Sequence, residues 1–112
     1  MLKPIPPTQR ERNRYLAFEA ISDSPLKRDE IIRAIQNSCL NFLGELGTSK
    51  TGLWLMDWDA KTKKGILKVT HKTVDEVRAS MALVKEINRQ SCIIRVLGVS
   101  GTVKKAREKF IS

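Results

Sequence analysis

A single α+β domain carrying a four-stranded antiparallel sheet in β-α-β-β-α-β order is the fold this sequence predicts. Three observations carry the prediction. Two segments repeat apolar residues at three- and four-residue steps, as one face of a helix does. Four shorter runs around them have strand patterning. At 112 residues the chain has the length of one domain, enough to bury about two-thirds of its unfolded surface without metals or disulfides. Right-handed crossovers then place both helices on one face of the sheet, an arrangement of ferredoxin-like or RNA-recognition-motif-like type.

Residues 1–13 read as an extended basic arm that orders only on binding, because Pro4, Pro6 and Pro7 prevent a regular helix. The folded domain is placed at residues 14–112. Leu16, Phe18 and Ala20 alternate with Tyr15, Ala17 and Glu19, a half-buried first strand that Ser24-Pro25 ends. A helix fits residues 26–46, with the stripe Ile31, Ile35, Cys39, Phe42, Leu43 and Leu46. Asp29 and Glu30 suit its first turn, and Gly47 is placed as its stop. Leu53 to Trp58 forms a second strand, with Trp54, Met56 and Trp58 alternating on one face as core or interface anchors. A polar connection over residues 59–65 leads to a third strand, Ile66–Thr70. Thr73 and Glu76 have capping-box spacing and open a second helix with the stripe Val74, Val77, Met81, Val84 and Ile87. A fourth strand covers residues 92–97, and a short basic helix is appended at the C-terminus.

The formal charge is +9, from 21 Lys and Arg against 12 Asp and Glu. Residues 1–14 and 100–112 each carry a balance of +3, so the excess sits at the two ends. Such an excess favours polyanionic partners, nucleic acid first. Cys39 and Cys92 are far apart in apolar segments, lack metal-site spacing and read as reduced and buried. No apolar run approaches the ~20 residues of a bilayer span, and a cytoplasmic protein with no membrane partner is expected. Enzyme signatures are thin. His71, the one histidine, has no nucleophile beside it, and Asp57 with Asp59 offers a divalent ion two ligands where more are needed. No catalytic residue, metal ligand or chain-bound cofactor is assigned.

The segment Gly98-Val99-Ser100-Gly101-Thr102, followed by Lys104, Lys105, Arg107 and Lys109, is the feature richest in function. Glycines permit tight turns with positive φ, and a helix start offers free N–H donors and a positive dipole end to an anion. The expectation is a phosphate corner at Gly98, Ser100, Gly101 and Thr102, flanked by Arg10, Arg12, Arg14, Lys104, Lys105, Arg107 and Lys109. The same residues also read as an ordinary strand-to-helix turn with a solvated helix behind it. Base stacking on the open sheet face looks unfavourable, since Ile66 and Lys68 stand where rings are wanted and Tyr15 alone offers one outward.

The chain resembles the archaeal ribonuclease P protein component 2 family, relatives of a small eukaryotic ribonuclease P and MRP subunit. The resemblance runs from Pro6-Pro7-Thr8-Gln9-Arg10 and Arg14-Tyr15-Leu16-Ala17-Phe18 through Leu43-Gly44-Glu45-Leu46-Gly47 and Lys64-Gly65-Ile66 to Leu97-Gly98-Val99-Ser100-Gly101-Thr102-Val103. It implies a recognition-motif-like fold without stacking aromatics. It implies a non-catalytic subunit of a ribonucleoprotein whose RNA, with magnesium, removes the 5′ leader of precursor tRNA. The implied partners are ribonuclease P RNA, precursor tRNA and the protein component 3, with two component 2/component 3 pairs able to form a heterotetramer. The competing reading from another class is a ferredoxin-like protein–protein adaptor or assembly factor with no direct RNA role.

Overall fold

The computed structural model describes residues 12–111. The N-terminal arm therefore lies, but for its last two residues, outside the described part, and Arg10 with it. The elements run β1 (Asn13–Ile21), α1 (Arg28–Ser49), β2 (Trp54–Asp59), β3 (Lys64–Thr70), α2 (Val74–Ala82), β4 (Glu86–Ile87), β5 (Gln90–Ser91), β6 (Ile93–Ser100) and α3 (Val103–Ala106), the last continuing as a wider π-type turn over Arg107–Ile111. The main sheet has the order β2-β3-β1-β6 with every neighbouring pair antiparallel, as expected. Leu16 and Phe18 of β1, Leu67 and Val69 of β3, Ile31, Ile35 and Cys39 of α1, and Val77 and Met81 of α2 join in one buried cluster. The stacked rings of Phe18 and Trp58, 6.0 Å apart, extend it, and the Trp58 indole donates to the Leu26 carbonyl at 3.0 Å. Both cysteines are free and buried, and burial pushes both thiols above their ordinary pKa.

Several local expectations are corrected. The first helix runs on through Gly47 to Ser49, and its break falls at Gly44, whose φ of 75° suits a residue without Cβ. Beyond that break the stripe fails, since Leu46 is 71 % exposed, and Phe42 just before it is 51 % exposed. At the start of α1, the Glu30 carboxylate accepts the Lys27 N–H at 2.9 Å, one half of a capping box. The box expected at Thr73 does not form: its hydroxyl instead donates to the Thr70 carbonyl at 3.1 Å. Helix α2 stops at Ala82, and the core residues Val84 and Ile87 come from the connection after it and from β4 of a small β4–β5 hairpin. Asn88 and Arg89, with φ of 55° and 64°, form its two-residue turn, the left-handed pair that matches strand twist. An inward-pointing hairpin and a helical stripe put the same residues in the core, so periodicity alone could not separate them.

Strand β6 also extends past its expected end to Ser100. Gly98 therefore lies inside the sheet opposite Ala17, and neither Gly98 nor Gly101 has a positive φ. The tight glycine corner expected there is instead strand through Ser100, followed by a bend at Gly101 and Thr102.

Candidate nucleic-acid interface

The sheet face away from α1 and α2 is organised by register. Residues paired across antiparallel strands share a face, so the ladder aligns side chains of all four strands into rows. One row is Asp57, Ile66, Ala17 and Gly98. The C-terminal segment lies along this row, touching β1, β3 and β6. Ala17, Ile66 and Ala106 are fully buried there. The Phe110 ring occupies the space a Cβ on Gly98 would need, and at the far end Arg107 grips Asp57 through Nε–Oδ2 at 2.5 Å and Nη2–Oδ1 at 2.8 Å. This bidentate fork holds the Asp57 carboxyl below its usual pKa. Partial burial opposes the shift, and the Arg28 charge adds to it. Asp57, weighed with Asp59 as a metal ligand, thus serves as the anchor of the C-terminal segment.

The next row toward the start of β1 is Trp54, Lys68, Tyr15 and Ser100. Trp54 joins it through a bulge. Register shifts between Leu55 and Asp57, so Met56 is the extra residue. The Arg28 guanidinium donates to the Leu55 carbonyl beside that shift. As a result Trp58 faces the core while Trp54 faces outward, 59 % exposed. The expectation that Trp54, Met56 and Trp58 share one face is corrected by this single inserted residue. No polar residue precedes Asp57 in the run from Leu53, so alternation had nothing to fix the face. Trp54 is the outward residue that sequence reasoning missed; it stands beside Lys68, which the sequence already places on the open face.

Among the described residues, the structure brings some of the expected anion-binding residues together and places others elsewhere. Ser100, Gly101, Lys105 and Lys109 do come together, lining a shallow cleft beside Val99 and Glu108. Lys104 is exposed nearby. Thr102 caps α3, its hydroxyl oxygen accepting the Lys105 N–H at 3.1 Å, which engages one of the donors expected to meet a phosphate. Gly98 is covered by Phe110, and Arg107 faces Asp57. Arg14 alternates with Leu16 onto the helix side of the sheet and turns back to donate to the Asn13 carbonyl at 3.0 Å. Arg12 is exposed, and its carbonyl accepts the His71 N–H at 2.8 Å. Glu19 on the outer face is paired with Arg95 at 3.3 Å. Two carboxylates of this face are thus answered by arginines, while the cleft lysines Lys105 and Lys109 are exposed, the Lys109 ammonium lying 5.9 Å from the centroid of the Phe110 ring.

Comparison with known proteins converges on one family. The family model described as Rpp14/Pop5 matches residues 14–111. The chain is 47 % identical to "Ribonuclease P protein component 2" of Pyrococcus furiosus, over 98 % of this chain and 92 % of that protein. It is 42 % identical to the protein of the same name from Methanocaldococcus jannaschii, over 99 % of this chain and 81 % of the relative. A chain in the cryo-EM structure of yeast ribonuclease MRP superposes with a TM-score of 0.65 at 12 % identity, covering 84 % of this chain and 77 % of that one, a likeness of fold. With a match across the whole sheet, both long helices and the latched C-terminal segment, the chain belongs to the Rpp14/Pop5 family of ribonuclease P protein subunits.

Proposed function

We propose that this chain is a non-catalytic protein subunit of a ribonuclease P ribonucleoprotein, supporting an RNA that removes the 5′ leader from precursor tRNA. The observation that carries the reading is the near full-length similarity to archaeal component 2 proteins. The geometry adds a route to the RNA. Lys105 and Lys109 flank the Ser100–Gly101 cleft, Lys104 is exposed beside it, and cations so placed displace counterions where phosphates crowd together. Among the described residues no three His, Cys, Asp or Glu side chains gather into a metal site. In this reading magnesium belongs to the RNA, and no step is routed through an ion held by this chain. No described helix is long and apolar enough to cross a membrane, and a cytoplasmic location goes with the reading.

Component 3 is the proposed protein partner, with pairing of two such heterodimers as the larger assembly. A protein contact is favoured by one observation: Phe42 and Leu46 expose large apolar side chains near the end of α1. The pure adaptor reading rests on the same residues but leaves the cleft lysines without a role. Reconstitution with a cognate archaeal ribonuclease P RNA and component 3 at moderate magnesium tests the proposal. Leader release that requires this chain, and no cleavage by the chain alone, is the expected result. Salt-tolerant binding to component 3 with no effect on cleavage would replace it with the adaptor reading.

A further inference from the structure

We propose that Trp54 and Tyr15 form a stacking platform for unpaired nucleotides of single-stranded RNA, with Lys68 between them and the Ser100 end of their row opening into the lysine cleft. The inference deepens the proposed function and rests on its RNA partner.

Four features point to it. The bulge at Met56 turns Trp54 out of the core, and Arg28 engages the carbonyl beside it, so the outward ring is built into the strand. Trp54 and Tyr15 both flank Lys68 in register, separated by two strand spacings, about 9.6 Å. Two rings on one sheet face can each carry a base, and stacking is tolerant of sequence because every base has a π-face. The row then passes through Ser100 into the cleft with Lys105 and Lys109, giving the backbone of the same strand a cationic path. Finally, the anchoring contacts of the C-terminal segment, Phe110 over Gly98 and Arg107 on Asp57, fall on the neighbouring row, about 7 Å away along the strands, and Trp54 stays exposed while Tyr15 and Lys68 are half-buried.

Charge decides between RNA and protein as the occupant. A protein contact centred on this row would bury Lys68 between two rings, and lysine is depleted from the centres of such contacts. For a nucleotide the same lysine sits where a phosphate needs it.

The test uses the full chain and a uridylate hexamer, with an abasic hexamer of equal charge as the comparison. Binding is followed by fluorescence anisotropy across a salt series. Trp54→Ala is expected to weaken uridylate binding about tenfold, within the range for one lost stack, with the salt slope unchanged. Trp54→Phe should restore most of the loss, and Tyr15→Ala should weaken binding similarly. The abasic hexamer should bind wild type and Trp54→Ala alike, and both more weakly than wild type binds uridylate. Equal uridylate affinity for wild type and Trp54→Ala, with both still folded by thermal melting, overturns the platform. If cognate ribonuclease P RNA still binds in that case, the subunit reading stands without it. If wild type binds neither the hexamer nor the ribonuclease P RNA, both fall.

Discussion

Gly98 and Phe110 should behave as one unit in a double-mutant cycle. A Cβ placed on Gly98 would lie 2.1, 2.5 and 2.8 Å from three carbons of the Phe110 ring. Carbon pairs settle at about 3.5–4.0 Å, so the ring must retreat by roughly 1.4 Å or leave. Retreat within a packed site costs about 1–3 kcal/mol. Leaving sets a ceiling equal to what the docked ring contributes. A fully buried Phe→Ala costs about 3–5 kcal/mol, and this half-buried ring should contribute about half of that. Alanine is itself better than glycine inside a strand by roughly 0.5–1 kcal/mol. Gly98→Ala should therefore destabilise by about 1–2 kcal/mol, a fall of about 0.5–1 M in the urea midpoint. In a Phe110→Ala background the same substitution should cost nothing, or recover a few tenths of a kcal/mol. Urea titrations of the four proteins, followed by far-ultraviolet circular dichroism, measure the coupling. Additive losses would refute the idea that Gly98 exists to seat this ring.

Three further outcomes follow from the same face. Gly65→Ala should destabilise more than Gly98→Ala, because its Cβ meets the Asp57 backbone oxygen at 2.7 Å and backbone cannot swing aside; Gly101→Ala, with nothing within 4 Å, should leave the urea midpoint unchanged. Asp57→Asn should lower stability at neutral pH, and the gap to wild type should close in acid. The Asp57 carboxyl titrates below its ordinary value of 3.8 in the fold, so its contribution is complete above that pH and is lost as pH falls through the depressed value; a gap persisting after full protonation would contradict the Arg107 pairing. Lys105→Ala with Lys109→Ala should reduce the log–log salt slope of RNA binding by about 1.4–1.8 at unchanged thermal stability, and an unchanged slope would remove the cleft from the RNA footprint.

The four main strands, the two long helices and the sheet order are legible because each rests on a long-range pattern that packing enforces: Leu16 and Phe18 alternate inward on β1, and Ile31, Ile35 and Cys39 recur on α1. What escapes the sequence is settled by single residues whose effect is non-local. Met56 is one more apolar residue in an apolar run, yet it reverses the facing of Trp54 relative to Trp58. Asn88 and Arg89 adopt left-handed backbone without a glycine to announce it, so a hairpin hides in what reads as the end of a helix. Gly98 signals an anion corner by type, but the reason for glycine there is an aromatic ring arriving from 12 residues later.

That last contact changes what the basic C-terminus is. Read from sequence, Lys104, Lys105, Arg107 and Lys109 form an undivided cationic helix. In the fold they divide according to what the sheet offers them. Arg107 finds Asp57 and, with Ala106 and Phe110, fixes the segment across the row of Ile66, Ala17 and Gly98. Lys105 and Lys109 line the cleft at Ser100, the Lys109 ammonium 5.9 Å from the Phe110 ring centroid, and Lys104 is exposed. A lysine pair on a free tail would lose conformational entropy at each phosphate it met; held on a docked segment, the pair has already lost part of it. The latch and the cleft are therefore one device, and a chain lacking the Phe110 ring should bind RNA more weakly even though every cation remains.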